Sequence, residues 1–286
     1  MTPEDFLVQF NGYHLDSVEH YVYRYRTADR ALMEIEKRTL RLSPFPELND
    51  PKEFARWHFG FMSAADFGEI NWPDLEEQAT AYAKNFAKVL CTTLDDSTAL
   101  DRGDVNSVWG RGFSRPRMWQ QYAENYCGAC MVFDRAALDA AIRATVPKGS
   151  KLFVDRVRYA NTPRIGRNHP LLNPFVLNYD RIKSLGMARA MTEHAEIHWQ
   201  ALFFDKALDW QTEQEYRWLV WDTEHKEIIF DFSDAMKAVV IGETFPRLND
   251  LHDLCEPLKV PVWEMRWKNG SPEPSPIIRL RPRTIA

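Results

Sequence analysis

The sequence predicts an α+β fold, a mixed and largely antiparallel sheet with helical insertions. Three observations predict it. First, stretches of period-two alternation recur along the chain, among them "HYVYRYR" (20–26), "KLFVDRVRYA" (151–160) and "EQEYRWLVW" (213–221); successive side chains of a strand point to opposite faces. Second, these stretches are spaced irregularly, by turns as well as helices, unlike a strict βαβ alternation. Third, no G-x-G-x-x-G or Walker A loop follows any of them and no G-x-S-x-G elbow occurs, which disfavours a doubly wound dinucleotide-binding sheet, a P-loop domain and an α/β-hydrolase.

In the first strand Tyr21, Tyr23 and Tyr25 share one face, and Val22, Arg24 and Arg26 the other. A helix follows over 27–40, with Thr27 as its N-cap and Leu32, Ile35 and Leu40 as its apolar stripe. "LRLS" (40–43) reads as a strand running into the proline-punctuated loop "PFPELNDPKEF". A mainly helical insertion is expected over about 52–88, then the strand "VLCTTL" (89–94) and a long polar loop. "PRMWQQYAENY" (116–126) reads as a helix with Pro116 in its first turn, "GACMVF" (128–133) as a strand, and the next helix as capped by Asp134. A second helical insertion spans about 178–207, with a break at Gly186. "EQEYRWLVW" and "EIIFDF" suggest a hairpin around "DTEHK", and "MKAVVIGETF" is a further strand. The organisation expected is one domain over 1–286, with a motif-bearing core at about 21–245 and a linker-like tail at 268–286.

The net charge of −5 and the lack of long like-charge runs give no field that advertises nucleic-acid binding. No apolar run approaches the roughly 20 residues of a membrane helix. Four cysteines, of which Cys127 and Cys130 form a CxxC with no second pair to complete a zinc tetrad, read as reduced thiols; with no signal peptide, the expectation is a cytoplasmic protein.

Four constellations carry candidate chemistry. Arg24 and Arg26 on one strand face suit a bidentate clamp for phosphate or carboxylate, or are exposed cations of an edge strand. Ser43, Asn49 and Asp50 lie where a strand enters a rigid turn, which is either turn chemistry or a site. Trp119, Tyr122 and Tyr126 at i, i+3 and i+7 form an aromatic helix face, for the core or for stacking. Glu213 and Glu215, read as one strand face, raise each other's pKa, and Arg217 on that face offsets this. Asp50, Glu213 and Glu215 could also gather a divalent ion, and "GRGFSRPR" with the aromatic helix could hold a nucleic-acid strand.

Together, Tyr23 to Arg26, Leu40 to Pro44, Asn49 to Pro51, Trp119 to Ala123, Gly128 to Phe133 and Trp210 to Arg217 resemble, in that order, a widespread bacterial family of uncharacterised domains. More loosely, an arginine strand, a Ser/Thr-bearing strand and a late E-x-E strand are similar to the R-S-E class of ADP-ribosyltransferases. That resemblance implies a split sheet, NAD as substrate, and a toxin or phage-defence setting. It implies that Arg26 or Arg24 holds NAD, that Glu215 is catalytic, and that Glu213 orients the nucleophile. Ser43, or Thr92 and Thr93, would supply the middle motif, with Trp119 and Tyr122 as an aromatic wall. The expected activity is ADP-ribosyl transfer to a protein or nucleic acid, or NAD hydrolysis. A metal-dependent nucleic-acid-processing or nucleotide-binding protein is the alternative, and a non-catalytic binding module the third reading.

Overall fold

The computed structural model describes residues 20–64, 70–96, 108–161, 173–224, 227–232 and 234–277. The first half of the chain forms β1 (Tyr21–Arg26), α1 (Ala28–Lys37), β2 (Thr39–Pro44), the four-residue helix α2 (Pro51–Phe54), β3 (Gly60–Met62), α3 (Trp72–Phe86), β4 (Ala87–Thr93), α4 (Pro116–Tyr122) and β5 (Ala129–Asp134). Then come α5 (Arg135–Thr145), β6 (Lys151–Arg156), β7 (Arg158–Tyr159), β8 (Val176–Asn178), α6 (Tyr179–Leu185), α7 (Met187–Phe203) and β9 (Asp205–Lys206). A 3-10 turn (Leu208–Glu213) leads into β10 (Glu215–Trp221), β11 (Ile228–Asp231), β12 (Met236–Gly242), α8 (Leu248–Cys255), β13 (Val262–Lys268) and β14 (Ser271–Pro276). This is an α+β fold.

Ten of these strands form one sheet, antiparallel except for the parallel pair β12–β13. Its centre is β4. One edge of β4 is taken along its whole length by β10, from Glu215↔Thr93 to Trp221↔Ala87. The other edge is shared: β1 pairs it at Tyr23↔Thr93, β2 at Ser43↔Val89 and Pro44↔Lys88. Between these two contacts β1 and β2 part, and the sheet splits over Leu90 to Thr92.

Both faces of the sheet are covered, so β10 is apolar on both sides beyond its first residues. Trp218 and Val220 pack with Leu32 and Ile35 of α1, Leu138 of α5 and Leu251 of α8. Leu219 and Trp221 pack with Ala83 of α3 and with Met191, Leu202 and Phe203 of α7. A third cluster surrounds Tyr21, Tyr23 and Tyr25, with Trp119, Val132 and Val240. The tyrosine face of β1 is therefore core.

Several expectations are corrected. β1 lies between β4 and β5, so its arginines are not on an edge strand. The 52–88 insertion is not wholly helical, because β3 pairs in parallel with β8 in a small separate sheet. β10 and β11 do not form a hairpin; β11 turns away to pair β2, Ile228↔Leu42. Thr27 makes no side-chain cap, whereas Asp134 caps α5 through the Ala137 amide. Gly186, at φ +80°, does divide the second insertion into α6 and α7.

The tail read as a linker begins as the edge strand β14. Pro272, Pro274 and Pro276 alternate along it, so their missing N–H groups fall on one edge, which blunts that edge against further pairing. The loop read after "VLCTTL" and the loop "TPRIGRNHPLLNPF" fall largely on 97–107 and 162–172, outside the described residues.

Gly128 marks a close approach. A Cβ there would stand 2.1 Å from the carbonyl oxygen of Arg26 and 2.9 Å from the Ala123 Cα. Both obstacles are backbone, so Gly128→Ala must displace the end of β1. An expected loss of about 1–3 kcal/mol follows from overpacking, readable as a lower urea midpoint at unchanged slope.

Candidate functional site

A cleft of about 300 Å³ opens where β1 and β2 part from β4. Its walls include Arg24, Tyr25 and Arg26 of β1, Ser43 of β2, Asn49 in the turn before α2, Thr92 and Thr93 of β4, Tyr122 of α4, Glu213 in the turn before β10 and Glu215 at the start of β10. Residues drawn from six separate places in the sequence thus meet in one cleft.

The basic wall is built on β1. Arg24 and Arg26 are adjacent on one strand face, and Glu34 on the buried face of α1 serves both. Arg26 Nε donates to Glu34 Oε1 at 3.0 Å, and Arg24 Nε lies 3.6 Å from Glu34 Oε2. Arg24 Nη1 donates to the Cys91 carbonyl at 3.1 Å, in the stretch where neither β1 nor β2 pairs with β4. Burial raises the Glu34 carboxyl, against the pull of Arg26. With Arg26 using only Nε in this pair, its two terminal nitrogens have no partner among the described residues, and its side chain is about 28% exposed.

The acidic wall is a buried ion network. Glu213 is not a strand residue. It ends the 3-10 turn, and Gln214 at φ 45° re-aims the chain into β10. The two glutamates nevertheless converge, because Lys206 stands between them: its Nζ donates to Glu213 Oε2 at 2.8 Å and to Glu215 Oε2 at 3.1 Å. Arg217 grips Glu215 with a two-pronged fork, Nε to Oε1 and Nη2 to Oε2, each 2.8 Å. Arg217 also donates from Nη1 to the Phe203 carbonyl at 2.6 Å and from Nη2 to Glu53. Three carboxylates face two cations, leaving one net negative charge.

Burial opposes ionisation of Glu215, but Arg217 and Lys206 outweigh it and hold its carboxyl at about 2. Burial likewise works against the Lys206 ammonium, and Glu215 with the other carboxylates overcomes this and raises it. Glu215 Oε1 thus accepts from Arg217 Nε, Oε2 from Arg217 Nη2 and Lys206 Nζ, and the Cys91 thiol adds a further hydrogen bond to the carboxylate.

Surrounding elements fix this network. The Asn49-Asp50-Pro51 turn caps α2: Asp50 accepts from the Lys52 amide at 2.8 Å, and Glu53 accepts from the Asp50 amide at 3.3 Å. That capping box puts Glu53 beneath Arg217. Lys52 Nζ caps the end of α7, donating to Ala201 and Asp205 carbonyls at 2.8 and 2.9 Å. Burial lowers the Lys52 pKa to about 8. Arg158 holds Asp205, the neighbour of Lys206, in a second fork at 3.0 and 2.8 Å, and the Glu215 amide donates to the Tyr159 hydroxyl at 2.8 Å. Trp210 covers Lys206, whose Nζ lies 4.9 Å from a ring centre, and Arg117 lies 5.5 Å from a Trp210 ring.

Not every sequence candidate reaches the cleft. Trp119 is fully buried, its indole donating to the Phe113 carbonyl at 2.8 Å, so it is core and not an aromatic wall. The predicted aromatic stripe fails because α4 ends at Tyr122 and Glu124, Asn125 and Tyr126 all have positive φ. Tyr126 still stacks on Trp119, at 6.2 Å. Tyr122 does face the cleft, and its hydroxyl donates to Glu213 Oε1 at 2.7 Å. Asp50 is a helix cap, and Arg217 lies behind Glu215, 1% exposed; neither lines the cleft. The basic loop "GRGFSRPR" is spent internally: Arg111 pairs with buried Asp95 at 2.8 Å, Arg115 donates to Leu94 and Thr212 carbonyls, and Arg117 to that of Asp209. Of the CxxC, Cys130 is buried in β5, and the Cys127 sulfur lies 3.1 Å from the Thr244 hydroxyl.

Glu34, Glu53 and Lys206 were not singled out by sequence. Glu34 had a signal, a carboxylate beside Ile35 within the apolar stripe of α1. Glu53 had one too, the capping-box spacing from Asp50. Lys206 had none, because its partners come from the following turn and strand.

The site thus defines an α+β protein with a cleft walled by arginines on one side and by a clamped carboxylate pair on the other. Its residues 118–218, from α4 into β10, match the model of a protein family of unknown function, DUF2971. No curated protein and no solved structure matches the chain. Among the described residues no helix is long and apolar enough to cross a membrane.

Proposed function

We propose that the cleft binds NAD and cleaves its nicotinamide–ribose bond, in the manner of an ADP-ribosyltransferase or an NAD glycohydrolase. The observation that supports this reading is the meeting of Arg26, Ser43 and Glu215 on one cleft, at a split in the sheet. The free end of Arg26 suits a pyrophosphate oxygen, and Tyr122 suits a ring or ribose edge. In the reaction the C–N bond at the ribose anomeric carbon breaks, and its electron pair leaves with neutral nicotinamide. The ribose passes through an oxocarbenium-like state, as in glycoside cleavage. Glu215, ionised and fixed before the substrate arrives, would accept a ribose hydroxyl and favour that developing cation. Water or an acceptor hydroxyl or amine then adds to the carbon and loses its proton. Tyr122 and Glu213 are the groups placed to orient it.

A metal-dependent reaction is less well supported, because the carboxylates already hold Lys206 and Arg217 and Asp50 is occupied as a cap. The test is incubation with labelled NAD, in chelator, with and without cell lysate. Release of nicotinamide supports the reading, and label on macromolecules selects transfer over hydrolysis. Growth arrest on induced expression, relieved in Glu215→Gln, would support a toxin or defence setting. Arg26→Ala is expected to raise KM for NAD by about 10- to 100-fold with a smaller effect on kcat, since one charge-assisted contact is lost.

A further inference from the structure

We propose that Lys206 is a positioning residue, the tethered cation of the carboxylate wall. Its role in catalysis rests on the NAD reading; its role as a counter-ion does not. The geometry is specific. Lys206 Nζ lies 2.8 Å from Glu213, 3.1 Å from Glu215 and 3.9 Å from Glu53, and the residue is 5% exposed. No flexible surface lysine reaches these oxygens by chance. β9 pairs in parallel with β7, Arg158↔Asp205 and Tyr159↔Lys206, and the Arg158–Asp205 fork anchors the preceding residue. Trp210 closes over the ammonium.

Two glutamates this close repel unless a cation separates them. Arg217 can serve only Glu215 and Glu53, since its fork lies on their side; no bond joins it to Glu213. Among the described residues, Lys206 is the cation that bridges Glu213 to Glu215. It therefore does two things for the reaction: it sets a cation between the two carboxylates, and it holds the Glu215 carboxylate in one orientation. The charged and titratable groups packed around it are Glu53 from α2, Tyr122 from α4, Tyr159 from β7, Glu213 from the turn, Glu215 and Arg217 from β10, and Cys91 from β4. Burial keeps the two tyrosines and the thiol protonated, with the neighbouring carboxylate charge adding to it, so Glu215 is the group whose charge depends on Lys206.

The experiment compares the full chain with Lys206→Arg, Lys206→Met and the charge-balanced Lys206→Met/Glu213→Gln. Side-chain carboxyl titration by carbon-13 NMR is followed without substrate, beside the pH profile of NAD cleavage. In Lys206→Met a glutamate midpoint is expected to rise by about one to two pH units, and kcat to gain an acidic limb. Lys206→Arg keeps the depressed midpoint and most of kcat. The double variant, which removes one carboxylate with the ammonium, returns Glu215 to its depressed midpoint and keeps the protein folded where Lys206→Met alone does not. An unchanged carboxyl midpoint in folded Lys206→Met, or a double variant no more stable than Lys206→Met, overturns the proposal, whether or not NAD is cleaved. Shifted midpoints in a protein that never cleaves NAD retain Lys206 as the counter-ion and reject the NAD reading alone.

Discussion

Glu215→Gln lowers the rate of NAD cleavage by about 10²- to 10³-fold, the range found when one preorganised electrostatic group is removed from an active site. The loss falls on kcat, because Glu215 acts on charge that appears only as the glycosidic bond breaks. The substitution keeps volume and removes one charge, which leaves the network of Glu53, Glu213, Lys206 and Arg217 neutral. The fold is therefore expected to survive, and far-UV circular dichroism with a melting curve checks this beside the nicotinamide assay. Wild-type NAD consumption at unchanged kcat in Glu215→Gln would falsify the assignment. A pH profile adds a second reading. Arg217 and Lys206, overriding burial, hold the Glu215 carboxyl at about 2, so this group stays ionised throughout pH 5–8. Wild-type kcat should then show no acidic limb from Glu215 in that window. A carboxylate left without its cations would titrate near 4.3 or, buried, higher.

The fold class was legible because it follows from local patterns. Alternation in "KLFVDRVRYA" and "EYRWLVW" predicts strands whatever their partners, and Gly186 predicts its break through backbone geometry alone. Partner choice was not legible. β11 could have turned back on β10, and nothing in "EIIFDF" says that it pairs with β2 instead. The site follows the same division. Arg24, Arg26, Ser43, Tyr122, Glu213 and Glu215 could be picked out as residue types suited to one chemistry, and the structure brings them to one cleft. Trp119 suited either core or an aromatic wall, and its packing against Phe113 and Tyr25 makes it core; the helical period fails only at Tyr126, beyond Glu124 and Asn125, where the backbone turns left-handed. Asp50 was read as a possible ligand and is a cap. Its capping partner Glu53 is the residue that reaches the network. Lys206 was invisible because a lysine in "FFDKAL" carries no periodic signal. What places it is the pairing of β9 with β7, a long-range contact.

Arg217 carries the largest expected effect on stability. Its guanidinium is 1% exposed and serves Glu215 through two bonds, Glu53 through another and the Phe203 carbonyl through a fourth. Arg217→Met leaves Glu53, Glu213 and Glu215 to share Lys206 alone, in a setting where stranding a buried charge costs about 3–5 kcal/mol. For a chain of this size that is a fall in melting temperature of roughly 10 °C, at about 2–4 °C per kcal/mol. Arg217→Lys keeps the charge but not the fork, so it should recover only part of the loss. The pH dependence separates an electrostatic cause from lost packing. In the wild type the Glu215 carboxyl is depressed, so its contribution is fully present above its unfolded value and is lost as pH falls toward about 2. In Arg217→Met the stranded carboxyls are pushed up instead, so the penalty is full at neutral pH and shrinks as acid protonates them. The melting-temperature gap between wild type and Arg217→Met should therefore narrow from pH 7 to pH 4.5. A gap that stays constant over that interval would show that Arg217 holds the fold by packing and not as the counter-ion of Glu53 and Glu215.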